Sequence, residues 1–174
     1  MIPTVGQQLF AVRNTVAKVV LPAIDPADGF ATEQAGLVLA CVDWVMDVQA
    51  SEFRYELLEH GASRDTLRAL LELAADPGAQ ELLDETAITP PDLVGIRDQV
   101  GQLKAAVVRR FEALCEQPEL RTPARRILTG AARAQAAREL SWCRMTGFPQ
   151  GPPADIASVL EGQAAQQSAP VAVG

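Results

Sequence analysis

The sequence predicts an all-α fold: a mostly antiparallel bundle of four long helices plus one shorter helix, with a flexible C-terminal tail. Three observations predict it. Apolar residues recur at spacings of three and four along most of the chain. Proline and glycine punctuate these stretches where helices would start and stop. No segment keeps the period-two alternation of a strand. The chain has 174 residues, 48% of them hydrophobic, which is enough for one core. The expected organisation is a helical bundle domain over 1–148 and a Pro/Gly/Ala/Gln-rich tail over 149–174.

The elements follow in order. The spacing predicts a first helix over 4–21, with Val5, Leu9, Val12, Val16 and Val19 on one stripe and Pro22 ending it. Residues 24–29 carry turn chemistry. A long second helix is expected over 32–60, stopped by Gly61 as a C′ glycine. Its first half is apolar nearly all round, so it is expected at the centre of the fold or in an oligomer interface. Ser63 is expected to cap a shorter third helix bearing Leu67, Leu70, Leu71 and Ala74. Asp76-Pro77-Gly78 breaks that helix, and a short helical piece over 80–85 follows. Thr89 as cap, Pro90 at N1 and Asp92 in the capping-box position start the fourth helix, which runs to 117. Its core stripe is Leu93, Ile96, Val100, Leu103, Val107, Phe111 and Leu114. Pro118 ends it, and Thr122-Pro123 starts a fifth helix to about 145. Within the tail, Asp155 is placed to cap one turn carrying Ile156, Val159 and Leu160.

Composition excludes several function classes. The net charge is −7 and aromatic residues are 5%, which argues against nucleic acid and against an anionic membrane surface as partners. The most apolar run, 35–48, contains Asp43 and is too short to span a bilayer, which needs about 20 residues. Cys41, Cys115 and Cys143 are odd in number and lack C-x-x-C spacing, and the N-terminus has no signal-peptide core. These features predict a cytoplasmic chain with reduced, mostly buried thiols.

Few residues carry candidate chemistry. Asp43 and Asp47 are four apart and share a helix face within the apolar stretch. They fit either an acid/base pair in a bundle core or two salt bridges, with Arg13 and Lys18 as partners. The Glu-x-x-His motif of di-iron bundles is absent; the one histidine, His60, follows Glu56 by four positions and is expected to cap a helix C-terminus. No metal site and no cofactor are expected. Cys41 is placed in a helical core, which suits packing better than nucleophilic catalysis.

Charge is unevenly distributed. Residues 1–95 hold 5 Lys/Arg and 15 Asp/Glu, whereas 96–147 hold 10 and 5. The basic part contains Arg109, Arg110, Arg121, Arg125, Arg126 and Arg133, the candidate binding residues, together with Arg138 and Arg144. Arginine favours carboxylate or phosphate in bidentate geometry. These side chains are expected to meet acidic helices within the chain, acidic surface on another chain, or a small anionic ligand. Phosphate-cradling glycine loops are absent.

The segments VGQQLFAVRNTVAKVVLPAI, GLVLACVDWVMDV and TLRALLELA occur in that order, with Val20-Leu21-Pro22-Ala23 closing the first. In this the chain resembles a bacterial family of small helical proteins of unknown function, found beside phosphotransferase-like kinases and acyl-CoA dehydrogenases. The resemblance covers under half the chain and carries over no catalytic residue. It implies an accessory protein for an acyl-CoA or phosphotransfer enzyme. The functional expectation is therefore a non-catalytic helical accessory subunit or adaptor that binds a partner protein and self-associates. Two alternatives stand beside it: a protein binding a small anionic or acyl ligand in an inter-helix cavity, and a helical enzyme using Asp43 and Asp47.

Overall fold

The structure, a computed structural model, describes residues 2–146 and 154–168. Among them the chain is helical with turns and contains no strand. It divides into two compact units, Met1–Ser51 with Leu140–Ala154, and Glu52–Glu139 with Asp155–Gly174.

The first unit begins with a reciprocal cap. The Thr4 hydroxyl accepts the Gln7 N–H at 3.2 Å, and the Gln7 side chain accepts the Thr4 N–H at 2.9 Å. Helix α1 (Val5–Thr15) then continues through a π-helical turn (Val16–Val20) into the short α2 (Leu21–Ala23). Pro22 was expected to stop this helix and instead lies inside it. A proline ring clashes with the carbonyl four residues back. The wider turn, in which the Leu21 N–H donates to the Val16 carbonyl five residues back, makes the room.

Asp28 caps α3 (Gly29–Val48) by accepting the Ala31 N–H at 2.9 Å. Helix α3 packs on α1 and on the 3₁₀ turn Arg144–Thr146. The indole of Trp44 donates to the Trp142 carbonyl at 2.9 Å. The helix expected over 32–60 is divided by a second 3₁₀ turn, Gln49–Ser51.

Helix α3 is not the central helix that its all-round apolar surface predicted. Only Ala35 and Val48 are buried on it, while Phe30 is 73% exposed and Leu37 56%. Cys41, expected in a core, is exposed. Apolarity on every side states that a helix can be surrounded; it does not supply the elements that surround it.

In the second unit the central element is α4 (Glu52–Leu73), which packs on α5 (Pro77–Glu85), α6 (Leu93–Cys115) and α8 (Ile156–Ser168). Gly61 and Ser63 were expected to end one helix and cap the next; both are interior to α4, and Ser63 is buried. The reason is tertiary: Leu58 before this point and Leu67 and Leu70 after it are buried, so one continuous helix packs on α6 and α8 across residues 61–63. A Cβ on Gly61 would lie 3.3 Å from the Gln167 side-chain end, a contact that a glutamine can relieve by shifting.

Asp76 caps α5, accepting the Ala79 N–H at 3.1 Å, with Pro77 at N1. The cap of α6 is Asp92, which accepts the Gly95 N–H at 2.9 Å, rather than Thr89. Pro90 instead packs over Gly95, where a Cβ would come within 2.9 Å of the proline ring. The predicted stripe on α6 holds: Ile96, Leu103 and Leu114 are fully buried. Helix α7 (Pro118–Trp142) starts at Pro118, which was expected only as a terminator, and Pro123 falls inside it. Proline lacks a donor, which the first turn of a helix does not use, so one residue can stop a helix and open the next.

The core of this unit gathers Leu67 and Leu70 of α4, Leu83 of α5, Leu103, Val107 and Leu114 of α6, and Ala124 of α7. Part of the segment read as a tail is ordered helix. Asp155 accepts the Ser158 N–H at 3.0 Å, and the expected single turn extends to the 13 residues of α8, with Ile156 and Leu160 buried. Residues 149–153 and 169–174 of that segment lie outside the described residues.

Candidate functional site

The two carboxylates singled out by the sequence do not form a joint site. Asp43 accepts two hydrogen bonds from the Arg13 guanidinium of α1, one of them at 3.2 Å. Asp47 accepts from Arg144, with Nε at 2.7 Å and Nη2 on the other oxygen. Each aspartate therefore tethers α3 to a different neighbour within the first unit, and Asp43 takes Arg13 rather than Lys18. The Arg13 hydrogen bond holds the Asp43 carboxyl below the usual carboxylate range, outweighing its partial burial. A general base needs to be open to its substrate, whereas both lone-pair sets here face a guanidinium.

This unit also exposes apolar surface. On α3, Phe30, Leu37, Val38 and Cys41 fall on one side at helical spacing, and all four are exposed. On α1, Val5 is 68% exposed and Val12 49%, followed by Val19 at 63% in the π turn. The sequence stripe on α1 is not a core stripe: no residue of α1 or the π turn is buried, and its valines at 5, 12 and 19 are exposed. Scattered exposed apolar residues are ordinary; a run of them on two adjacent helices is a mark of interaction.

The six arginines expected to bind a partner or ligand divide by role. Arg110 is buried, at 8% exposure, and donates through Nη2 to the Ala74 carbonyl just beyond α4, capping that end. Arg121 donates through Nε to the Cys115 carbonyl at 2.9 Å, doing the same for α6. Arg109, Arg125, Arg126 and Arg133 are exposed on α6 and α7. Arg109 and Arg110 line one cleft, of about 600 Å³, in the second unit, together with Asp76 and Gln102. Arg125 lies instead at a smaller hollow of about 250 Å³ beside Phe111.

Sequence reasoning missed the strongest electrostatic feature. Glu59 of α4 is 1% exposed and accepts from Arg138 Nε at 2.6 Å. Arg138 is itself 3% exposed, and its Nη1 donates to Gln163 of α8 at 2.7 Å. Lys104 of α6 reaches the second Glu59 oxygen at 2.5 Å. Burial, and next the Glu59 carboxylate, push the neighbouring Tyr55 phenol up. The only sequence signal was the general charge asymmetry, which predicted that basic helices meet acidic ones without saying where.

His60 is not at a helix end. It is buried in α4 with Nε2 2.8 Å from the Gln99 side-chain oxygen. Burial lowers its pKa from the ordinary value, against the hydrogen bond to Gln99. The unfolded chain therefore binds a proton at a higher pH than the folded chain does. Stability is present above the unfolded value near 6.5 and is lost as pH falls through the lower folded value. The urea midpoint is expected to fall between about pH 7 and pH 5.5, and His60→Gln to flatten that slope. An unchanged slope in the variant would assign the loss to other groups.

Among the described residues, no group of three or more His, Cys, Asp or Glu is arranged to hold a metal ion. None of the described helices is long and apolar enough to cross a membrane. No protein-family model, curated protein or solved structure matches the chain.

Proposed function

We propose that the protein is a non-catalytic helical interaction module that self-associates through α1 and α3, as an accessory subunit or adaptor does. The observation that carries this reading is the uncovered apolar surface of those two helices, from Phe30 to Cys41 on α3 and from Val5 to Val19 through α1 and the π turn. Among the described residues of the first unit, the buried apolar ones are Ala35 and Val48 of α3. A unit of that size is marginal unless further apolar area is buried.

A second copy suits this face. Arg13 and Asp43 already neutralise each other within one chain, so that pair brings no net charge to the face, and exposed Lys18 on one copy is available to exposed Glu33 on the other. Helix α3 is 20 residues, about 30 Å long, and two α1–α3 pairs related by a two-fold axis would form an antiparallel four-helix layer. An enzyme partner, as the resemblance implies, would use the same surface.

Light scattering is expected to give a mass at or above twice 18.6 kDa. Leu37→Glu places a charge in the middle of the face and is expected to weaken association by at least ~100-fold, with the helical circular dichroism retained. A monomer at every concentration accessible to the experiment would overturn self-association. An oligomer indifferent to Leu37→Glu would place the interface elsewhere.

A further inference from the structure

The cleft of about 600 Å³ in the second unit lies between the start of α5 and the middle of α6. Two kinds of wall meet there. Ala79 and Leu82 of α5 and Ala105 and Ala106 of α6 supply an apolar floor. Asp76, Arg109 and Arg110 supply the charged end, with a net of +1.

Arg110 is the informative residue. Its side chain is more than nine-tenths buried, and its Nε N–H has no hydrogen-bond partner. The nearest carboxylate, Asp76, is 3.9 Å from Nη1, beyond hydrogen-bond distance, and its Oδ1 is engaged with the Ala79 N–H. Nε is closed to solvent and Nη2 is taken by the Ala74 carbonyl, so the donor that Arg110 offers the cleft is Nη1, which makes no hydrogen bond among the described residues. The N-terminal end of α5 adds its positive dipole end on the same side.

We propose that this cleft binds a small organic acid. A single carboxylate seats between Arg109 and Arg110 and offsets the net charge, and a short aliphatic body lies along Ala79, Leu82, Ala105 and Ala106. Charge counting selects a monoanion over a doubly charged phosphate, because Asp76 already offsets one of the two arginines. The apolar floor selects an acid with a hydrocarbon part over a bare inorganic ion. The site is separate from the α1–α3 face, so either reading stands if the other fails.

The probe is hexanoate, titrated into the full-length protein and followed by amide chemical-shift changes, with inorganic phosphate and hexanol in parallel. Hexanoate is expected to saturate in the range of ~0.1–10 mM, as suits so small a ligand, with shifts centred on α5 and α6. Phosphate and hexanol are expected not to saturate at the same concentrations. Arg109→Ala, at an exposed position, is expected to weaken hexanoate at least ~3-fold. Asp76→Asn keeps a residue able to cap α5 while removing the opposing charge, and is expected to tighten binding several-fold. Ala105→Trp fills the cleft from an exposed position and is expected to abolish binding without lowering the melting temperature. Arg110 is left intact because it also caps α4. Equal binding of phosphate would overturn the organic acid, and binding unmoved by all three substitutions would overturn the site.

Discussion

Glu59→Ala is expected to destabilise the second unit by about 3–5 kcal/mol, the largest effect of a single substitution in this chain. The carboxylate is 1% exposed and the Arg138 guanidinium 3%, so neither has water in reserve. Removing the anion leaves a desolvated cation without the charge that compensated it, and Lys104 loses its partner as well. Urea unfolding followed by circular dichroism measures the loss. The complementary double substitution, Glu59→Met with Arg138→Leu, is expected to recover most of it, because two apolar side chains of similar size need no compensation. A loss under about 1 kcal/mol for Glu59→Ala would show that the pair behaves as a solvated surface bridge. By contrast, Arg97 with Glu52 and Glu56 lies at an exposed position, and removing it is expected to matter little.

Leu160→Ala is expected to cost about 2–5 kcal/mol. Leu160 is fully buried although it belongs to a segment whose composition suggests a tail. With Ile156 it forms the apolar contact that holds α8, and Gln163 and Gln167 add hydrogen bonds to α7 and α4 through the Ala134 and Leu58 carbonyls. Substitution therefore leaves a cavity under α8 and weakens its docking. Hydrogen exchange separates this from plain disorder: amides over 156–168 are expected to be protected in the parent protein and to exchange quickly in the variant. If those amides exchange at the unfolded rate in the parent protein, α8 does not contribute to stability and the expected cost disappears.

The two substitutions mark where local reading ends. Glu59 lies mid-helix between Leu58 and His60, and nothing within a turn of it announces an ion pair. Its partner is 79 residues away. Asp43 and Asp47 attracted attention because charges in an apolar run are conspicuous, and their guanidinium partners turn out to be structural. Of the six arginines grouped by charge alone, Arg110 and Arg121 hold helix ends, Arg109 and Arg110 line one cleft, and Arg125, Arg126 and Arg133 are exposed elsewhere; charge alone could not separate these roles.

The sequence by itself determined the helical class, the stripe on α6 and the breaks at residues 24–29 and 76–78. Each of these depends on residues within a turn or two of one another: a period, a cap, a proline. The tertiary structure decided the rest. It ran α4 through Gly61 because the residues on both sides of it are buried in one packed unit, kept a helix going past Pro22 by widening one turn, and left α3 uncovered despite its apolar surface. Burial and long-range pairing depend on which element packs against a face, and that information is held by distant residues rather than by the face itself.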